Sequence, residues 1–190
     1  PYQTLAEVKH HFIQQGGELG VLRLEQNAAL TAAWQWTHGG LHVIAGRPGM
    51  GKTSLLVWIL RELTRQQKPS LFFSLEMQAD EIMHVMAHGC PDGPLLINAH
   101  GGLTIESLSQ IAQLAHQRAQ IQCVVVDYLQ LLKTQERFGN REQQVAHISG
   151  ELKGLAKRLD CPVLVACQLN RLVEATQVKR PLLSHLRESG

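Results

Sequence analysis

The sequence predicts an α/β fold, a mostly parallel twisted sheet flanked by helices on both faces. Three observations predict it. Short apolar runs alternate with longer stretches of helical periodicity, as in successive β-α-β units. Most of these runs, such as Leu71-Phe72-Phe73 and Val124-Val125-Val126, are continuously apolar, as strands buried on both faces are. The first, Leu41-His42-Val43-Ile44-Ala45, leads into a glycine loop and then the helical run Ser54-Leu55-Leu56-Val57-Trp58-Ile59-Leu60.

The elements follow in order. Thr4-Leu5-Ala6-Glu7 is a capping box. Leu5, Val8 and Phe12 continue it as an apolar stripe that Gly16-Gly17 ends. The stripe is too short for a core of its own, so it packs on this domain or docks on a neighbouring subunit. A second helix is expected from Gln26 to Trp36, ending at Gly39-Gly40. After the glycine loop and its helix, Pro69 breaks the chain and Ser70 to Leu75 reads as a buried strand. Ala79 to His88 reads as helix, Cys90 to Pro94 as a turn and Leu95 to Asn98 as a short strand. Thr104 caps a helix to about Ala119, with Glu106 and Ser107 in its first turn. Ile121 to Asp127 is a strand, Arg137 to Arg141 a polar connection, Glu142 to Leu159 a long amphipathic helix, and Pro162 to Gln168 the last clear strand.

Composition narrows the function classes. With 190 residues, 44% hydrophobic and 18% charged, the chain suits one domain with a real core. A net charge of +2 excludes a uniformly basic coat for nucleic acid, so any such contact comes from local loops. No apolar run is long enough to span a bilayer. The first residue is Pro1 and no signal peptide is evident, so a cut or processed piece of a longer protein is expected. Cys90, Cys123, Cys161 and Cys167 form no CxxC pair and read as buried, reduced thiols, which points to the cytoplasm. His84 and His88 share one helix face near Cys90, but a zinc site lacks an obvious fourth ligand.

Chemistry is expected where the strands end, because ligands of a parallel sheet collect at its carboxyl rim. Gly46-Arg47-Pro48-Gly49-Met50-Gly51-Lys52-Thr53 matches G-x-x-x-x-G-K-[ST], in the strand–loop–helix context that makes this a P-loop. Its glycines let backbone N–H groups face phosphate oxygens, and the new helix, beginning near Ser54, adds its positive end. Lys52 can reach the β- and γ-phosphates of a nucleoside triphosphate, and the Thr53 hydroxyl can hold Mg²⁺. Asp127 closes the run Cys123 to Val126, the pattern of an acid that holds the same metal. Glu76 is a candidate general base toward water, and Gln168 can sense the γ-phosphate by hydrogen bonding.

This order of P-loop, Glu, Asp and Gln resembles the RecA-type ATPases. Longer words resemble one family more specifically. Phe73-Ser74-Leu75-Glu76-Met77, Asp127-Tyr128-Leu129-Gln130-Leu131-Leu132, Gln168-Leu169-Asn170-Arg171, Lys179-Arg180-Pro181 and Ser184-His185-Leu186-Arg187-Glu188-Ser189-Gly190 are similar to the DnaB family of replicative helicases. So is Leu95 to Ile111, with Gly102-Leu103-Thr104-Ile105. The resemblance covers roughly residues 39–190.

It implies a RecA-like P-loop NTPase that uses ATP and Mg²⁺, with Glu76 as catalytic glutamate and Asp127 as the Walker-B acid. It implies that Gln168 couples the γ-phosphate to a DNA loop, and that Arg187, Glu188 and Gly190 lie against the backbone of single-stranded DNA. It further implies a hexameric ring in the full-length form, with primase and a helicase loader as partners and no membrane. The implied division is a linker-like helix over residues 1–22 and an ATPase core over 23–190. The family is longer than this chain between Met77 and Gln122, and the acidic stretch, last strands and arginine finger that the family carries beyond the position of Gly190 are expected to be missing here. Without a finger supplied in trans, hydrolysis slows by a factor of order 10³ or more. Two other readings stay open: a RecA-family regulatory or recombination ATPase that binds DNA without unwinding, and a shortened non-enzymatic homologue kept for docking.

Overall fold

Neighbouring residues on the central strands face opposite ways, and that alternation sorts the apolar side chains into two cores. A computed structural model describes residues 21–22, 36–87 and 92–169. In order these form β1 (Val21–Leu22), β2 (Trp36–Thr37), β3 (Leu41–Gly46), α1 (Lys52–Arg65), β4 (Ser70–Ser74), α2 (Ala79–Ala87), β5 (Leu95–Asn98), α3 (Ile105–Ala119), β6 (Cys123–Asp127), a 3-10 turn (Leu129–Leu131), α4 (Arg141–Leu159) and β7 (Val163–Gln168). One core holds Phe72, Val125, Leu164 and Ala166 under Leu56, Leu60 and Leu63 of α1 and Ile82 and Met86 of α2. The other holds Phe73, Val124, Val126 and Val165 under Leu108 and Ala112 of α3 and Ile148, Leu152 and Leu155 of α4. The described region is therefore a sheet between two helical layers, as the sequence predicts.

The sheet has five strands in the order β3-β7-β6-β4-β5, and every neighbouring pair is parallel. The chain leaves β4 toward β5 and returns from β6 toward β7, so the direction of winding reverses between β4 and β6. That reversal opens a crevice at the carboxyl rim. Register sets what meets there: Ser74 lies opposite Asp127, and Gly46 opposite Gln168.

The helix limits follow local chemistry. The Thr104 side chain accepts from Ser107 N–H at 3.2 Å and opens α3. The Asn140 side chain accepts from Gln143 N–H at 2.8 Å and opens α4. Each cap satisfies an amide that the helix ladder leaves over.

Three expectations need comment. Trp36, expected at the end of a helix, instead pairs with Leu22 where β2 lies antiparallel to β1. Its ring is 1% exposed in the α1-side core, and burying so large a ring outweighs weak local helix propensity. The rest of that predicted helix, and the Thr4 stripe, lie outside the described residues. Ile121 is buried as expected, but the strand proper begins at Cys123. Cys123, Cys161 and Cys167 are buried free thiols, and burial pushes the Cys161 thiol up to about 12. Cys90 is outside the described residues.

Leu108 and Leu114 share α3 but not its faces: the first is fully buried and the second 55% exposed. Leu108→Ala is expected to cost roughly 2–5 kcal/mol of unfolding free energy, and Leu114→Ala less than about 0.5 kcal/mol. Denaturant titration reads both, and equal losses would contradict the layer assignment.

Candidate functional site

A cleft of about 330 Å³ opens at the carboxyl rim, lined by Pro48, Gly49, Gly51, Lys52, Thr53, Ser54, Glu76, Asp127, Tyr128 and Gln168. Its floor is the loop between β3 and α1. Gly49 and Gly51 have φ of 73° and 83°, in the left-handed region that glycine enters without strain. A Cβ at either would meet nothing within 4 Å, so backbone conformation rather than crowding calls for glycine. Gly51 caps α1 without a side chain, and the first bond of the ladder is Leu55 N–H to Gly51 O at 2.9 Å. The N–H groups of Lys52, Thr53 and Ser54 therefore lie ahead of the ladder at the positive end of the helix, an arrangement that binds anions. Lys52 Nζ donates to the Arg47 carbonyl at 3.0 Å, across the loop.

The other half of the cleft is built around a buried carboxylate. Asp127, at the end of β6, is 1% exposed. Its Oδ2 accepts from the Thr53 hydroxyl at 2.7 Å, while buried Oδ1 has no hydrogen-bond partner. A buried, half-satisfied carboxylate beside a hydroxyl and phosphate-facing amides suits a hard cation such as Mg²⁺, which takes one or two protein oxygens and leaves the rest of its shell to phosphate and water. Burial raises the Asp127 pKa above the ordinary carboxylate value, and the nearby Glu76 carboxylate adds to the rise; the Thr53 hydrogen bond and the Lys52 charge oppose it. Burial and the charges of Glu76 and Asp127 likewise push the Tyr128 phenol up.

Glu76 follows β4 and is exposed to the cleft. Two contacts aim it. Leu75 N–H donates to Asp127 O at 2.8 Å, which holds the end of β4 against β6. The Ser74 hydroxyl donates to Met77 O at 2.9 Å and accepts from Met77 N–H at 3.2 Å, closing the turn that carries Glu76. Gln168 reaches the cleft from the end of β7.

Lys52, Thr53, Glu76, Asp127 and Gln168, far apart in sequence, thus line one cleft, together with Pro48, Gly49, Gly51 and Ser54 of the predicted loop. Gly46, Arg47 and Met50 stand back from it: Gly46 ends β3 beside Gln168, Arg47 offers its carbonyl, and Met50 is 65% exposed. Arg187, Glu188 and Gly190 lie outside the described residues. So do His88 and Cys90 of the histidine cluster, and among the described residues no group of three metal-type side chains gathers. Two site residues escape a reading of sequence. Tyr128 lines the cleft. Gln130, three positions beyond Asp127 in the 3-10 segment, binds both backbone groups of Gln168. A lone polar residue in the apolar word Leu129-Gln130-Leu131-Leu132 was the available signal.

The direction of the Asp127 shift carries a sign. A carboxyl raised in the folded state favours the protonated fold, so stability falls as pH rises from the ordinary Asp value through the raised one. Above that window the buried charge is a standing cost. Asp127→Asn keeps an acceptor for Thr53 and replaces an unpaired charge with a less costly unpaired amide. It is expected to raise Tm of the cation-free chain at pH 7, by roughly 2–4 °C for each kcal/mol relieved, and the gain should vanish toward pH 3. Thermal melts across that range check it; a lower Tm at pH 7 would contradict it.

The family model for the DnaB-like helicase C terminal domain matches residues 29–90 and 86–190. The replicative DNA helicase DnaB of Mycoplasma genitalium is 34% identical over 212 residues, covering 94% of this chain and 44% of that protein. A probable replicative DNA helicase of Trieres chinensis is 33% identical over 181 residues, covering 79% of this chain and 40% of that protein. This chain therefore spans less than half the length of these curated relatives. The M. genitalium alignment runs over 212 positions although 94% of the 190 residues take part, so that relative carries extra residues within the matched region. Among solved structures, the ATPase domain of G40P superposes with a TM-score of 0.81 at 22% identity, covering 100% of this chain and 80% of that one. A DnaB-like replicative helicase, described with its primase interactions, gives the same TM-score and identity over 99% of this chain and 55% of that one. At that identity the superpositions speak for the fold, and the family match speaks for descent: the chain belongs to the DnaB-like helicase C-terminal domain family.

Proposed function

We propose that this chain is the ATP-hydrolysing motor core of a replicative DNA helicase. One observation carries the reading: the anion-binding loop, the Thr53–Asp127 pair, Glu76 and Gln168 line a single cleft at the reversal point of the sheet. Amides of the loop and Lys52 hold the phosphates of ATP. Thr53 and Asp127 hold Mg²⁺, which supplies charge neutralisation at the β- and γ-phosphates. Glu76, exposed at the mouth of the cleft, orients water and draws off its proton. Gln168 hydrogen-bonds the γ-phosphate and passes its presence to the segment that follows β7. In that segment Arg187, Glu188 and Gly190 contact the backbone of single-stranded DNA.

The full-length protein acts as a homo-oligomeric ring, a hexamer, with ATP sites between subunits and heterologous contacts that close on themselves. Residues 1–22 serve as a linker-like helix and 23–190 as the core. Primase and a loader are its further partners, and the cytoplasm its location. No helix among the described residues is long and apolar enough to cross a membrane.

A second reading has one observation in its favour. The family match is divided into two segments that overlap at residues 86–90, from the last residues of α2 onward, and a relative is longer in the matched region. A shortened homologue could keep the fold for docking or regulation while losing unwinding. An ATP-dependent forked-duplex assay on the complete gene product separates the two. Unwinding that requires Lys52 supports the helicase; hydrolysis without unwinding, or partner support that survives Lys52→Ala, favours the alternative.

Two substitutions test the chemistry. Lys52→Ala is expected to weaken ATP binding and lower turnover by about 10²-fold or more; an unaltered affinity would contradict the phosphate assignment. Glu76→Gln is expected to bind ATP normally but to turn over about 10²–10⁴-fold more slowly. Equal turnover would assign the base elsewhere. Equilibrium binding of a fluorescent ATP analogue and phosphate release read the two quantities separately.

A further inference from the structure

Gln168 stands where the sheet runs out of partners. The last β6–β7 pair is Val126 opposite Val165, but β7 continues to Gln168 while β6 ends at Asp127 and turns into the 3-10 segment Leu129–Leu131. Alternate residues of a parallel strand bond to opposite neighbours. Leu169 N–H turns toward β3 and donates to Gly46 O at 3.1 Å. Gln168 turns the other way, toward the edge that β6 has left.

The Gln130 side chain fills that edge. Its Oε1 accepts from Gln168 N–H at 3.1 Å, and its Nε2 donates to Gln168 O at 2.9 Å. Nε2 also lies 3.1 Å from Cys167 Sγ. A primary amide offers one acceptor and two donors, so it can replace the strand on both backbone groups at once. The end of β7 is thereby held on one side, through Leu169, by the first residue of the P-loop and on the other, through Gln168, by the segment that follows Asp127.

The segment carrying Gln130 is itself fixed. Arg141, at the start of α4, donates from Nη2 to Gln130 O at 2.5 Å and from Nη1 to Gln144 Oε1 at 2.7 Å. Further on, Lys133 N–H donates to Leu103 O at 3.1 Å and Ile105 N–H donates to Lys133 O at 2.9 Å. The amide clamp therefore has a rigid base, and the Gln168 side chain projects from it into the cleft.

We propose that Gln130 is a positioning residue for hydrolysis: its amide sets Gln168 at the γ-phosphate end of the cleft without touching nucleotide itself. This rests on the ATPase reading above. A displacement of about 1 Å at a reacting geometry costs roughly 10²-fold in rate, while phosphate binding depends on the loop and Lys52, which the clamp leaves alone. The inference thus separates rate from affinity.

The test uses the full chain with Mg²⁺-ATP and reads single-turnover hydrolysis, analogue binding and, in the nucleotide-free state, exchange of the Gln168 amide proton by NMR. Gln130→Ala is expected to slow hydrolysis about 10–100-fold, to leave the analogue Kd within about twofold, and to speed exchange at Gln168. Gln130→Glu retains an acceptor for Gln168 N–H and loses the donor to Gln168 O, so its rate should fall between the two. The Gln130→Ala/Gln168→Ala double variant should be no slower than Gln168→Ala alone, because both act through one group. Unchanged exchange at Gln168, additive losses in the double variant, or a parental rate in Gln130→Ala while Lys52→Ala is inactive would each overturn the inference and leave the ATPase reading standing. Parental turnover that is indifferent to Lys52→Ala would remove both.

Discussion

Five strands running one way deliver every strand end to a single rim, and the cleft exists because of that constraint. β3 brings the glycine loop, β4 brings Glu76, β6 brings Asp127 and β7 brings Gln168. An antiparallel neighbour would carry its polar end to the opposite rim. The parallel arrangement in turn depends on two helical layers covering both faces, since strands so apolar cannot face water. The cores and the cleft are thus one structure: the alternation that buries Phe72 on one side and Phe73 on the other also holds the register that places Ser74 against Asp127.

Within that frame the cleft works against its own stability. Asp127 is buried with one oxygen bonded to Thr53 and the other unpartnered, and Glu76 adds like charge nearby. Such an arrangement is costly alone and favourable around a cation. Charge complementarity to a metal–nucleotide complex is therefore built in as a deficit that the complex would offset, a common economy at functional sites.

Hydrogen bonds pin the same rim at several points. The strand ends are pinned by backbone bonds from Leu75 to Asp127 and from Leu169 to Gly46, and by the side-chain amide of Gln130. The glycine loop is held by the Lys52 bond to Arg47, the turn from Met50 N–H to Arg47 O at 3.3 Å and the Thr53 bond to Asp127.

Much of this was legible in the residues themselves. Period and composition determined the alternation of strands and helices, because burial on two faces demands continuous apolar runs. Capping chemistry determined the start at Thr104, and the glycine motif determined where an anion could sit, because few sequences allow that backbone path; the Asn140 cap appears only in the fold. Local reading failed at Trp36, where burial of a ring and an antiparallel partner outweighed helical pattern, and it passed over Gln130. Only the tertiary structure decided strand order, the pairing of Thr53 with Asp127 across 74 residues, and the role of a side-chain amide as a substitute strand. Those depend on which chain segments become neighbours, and contact between distant segments is set by packing of the whole sheet rather than by any one stretch of it.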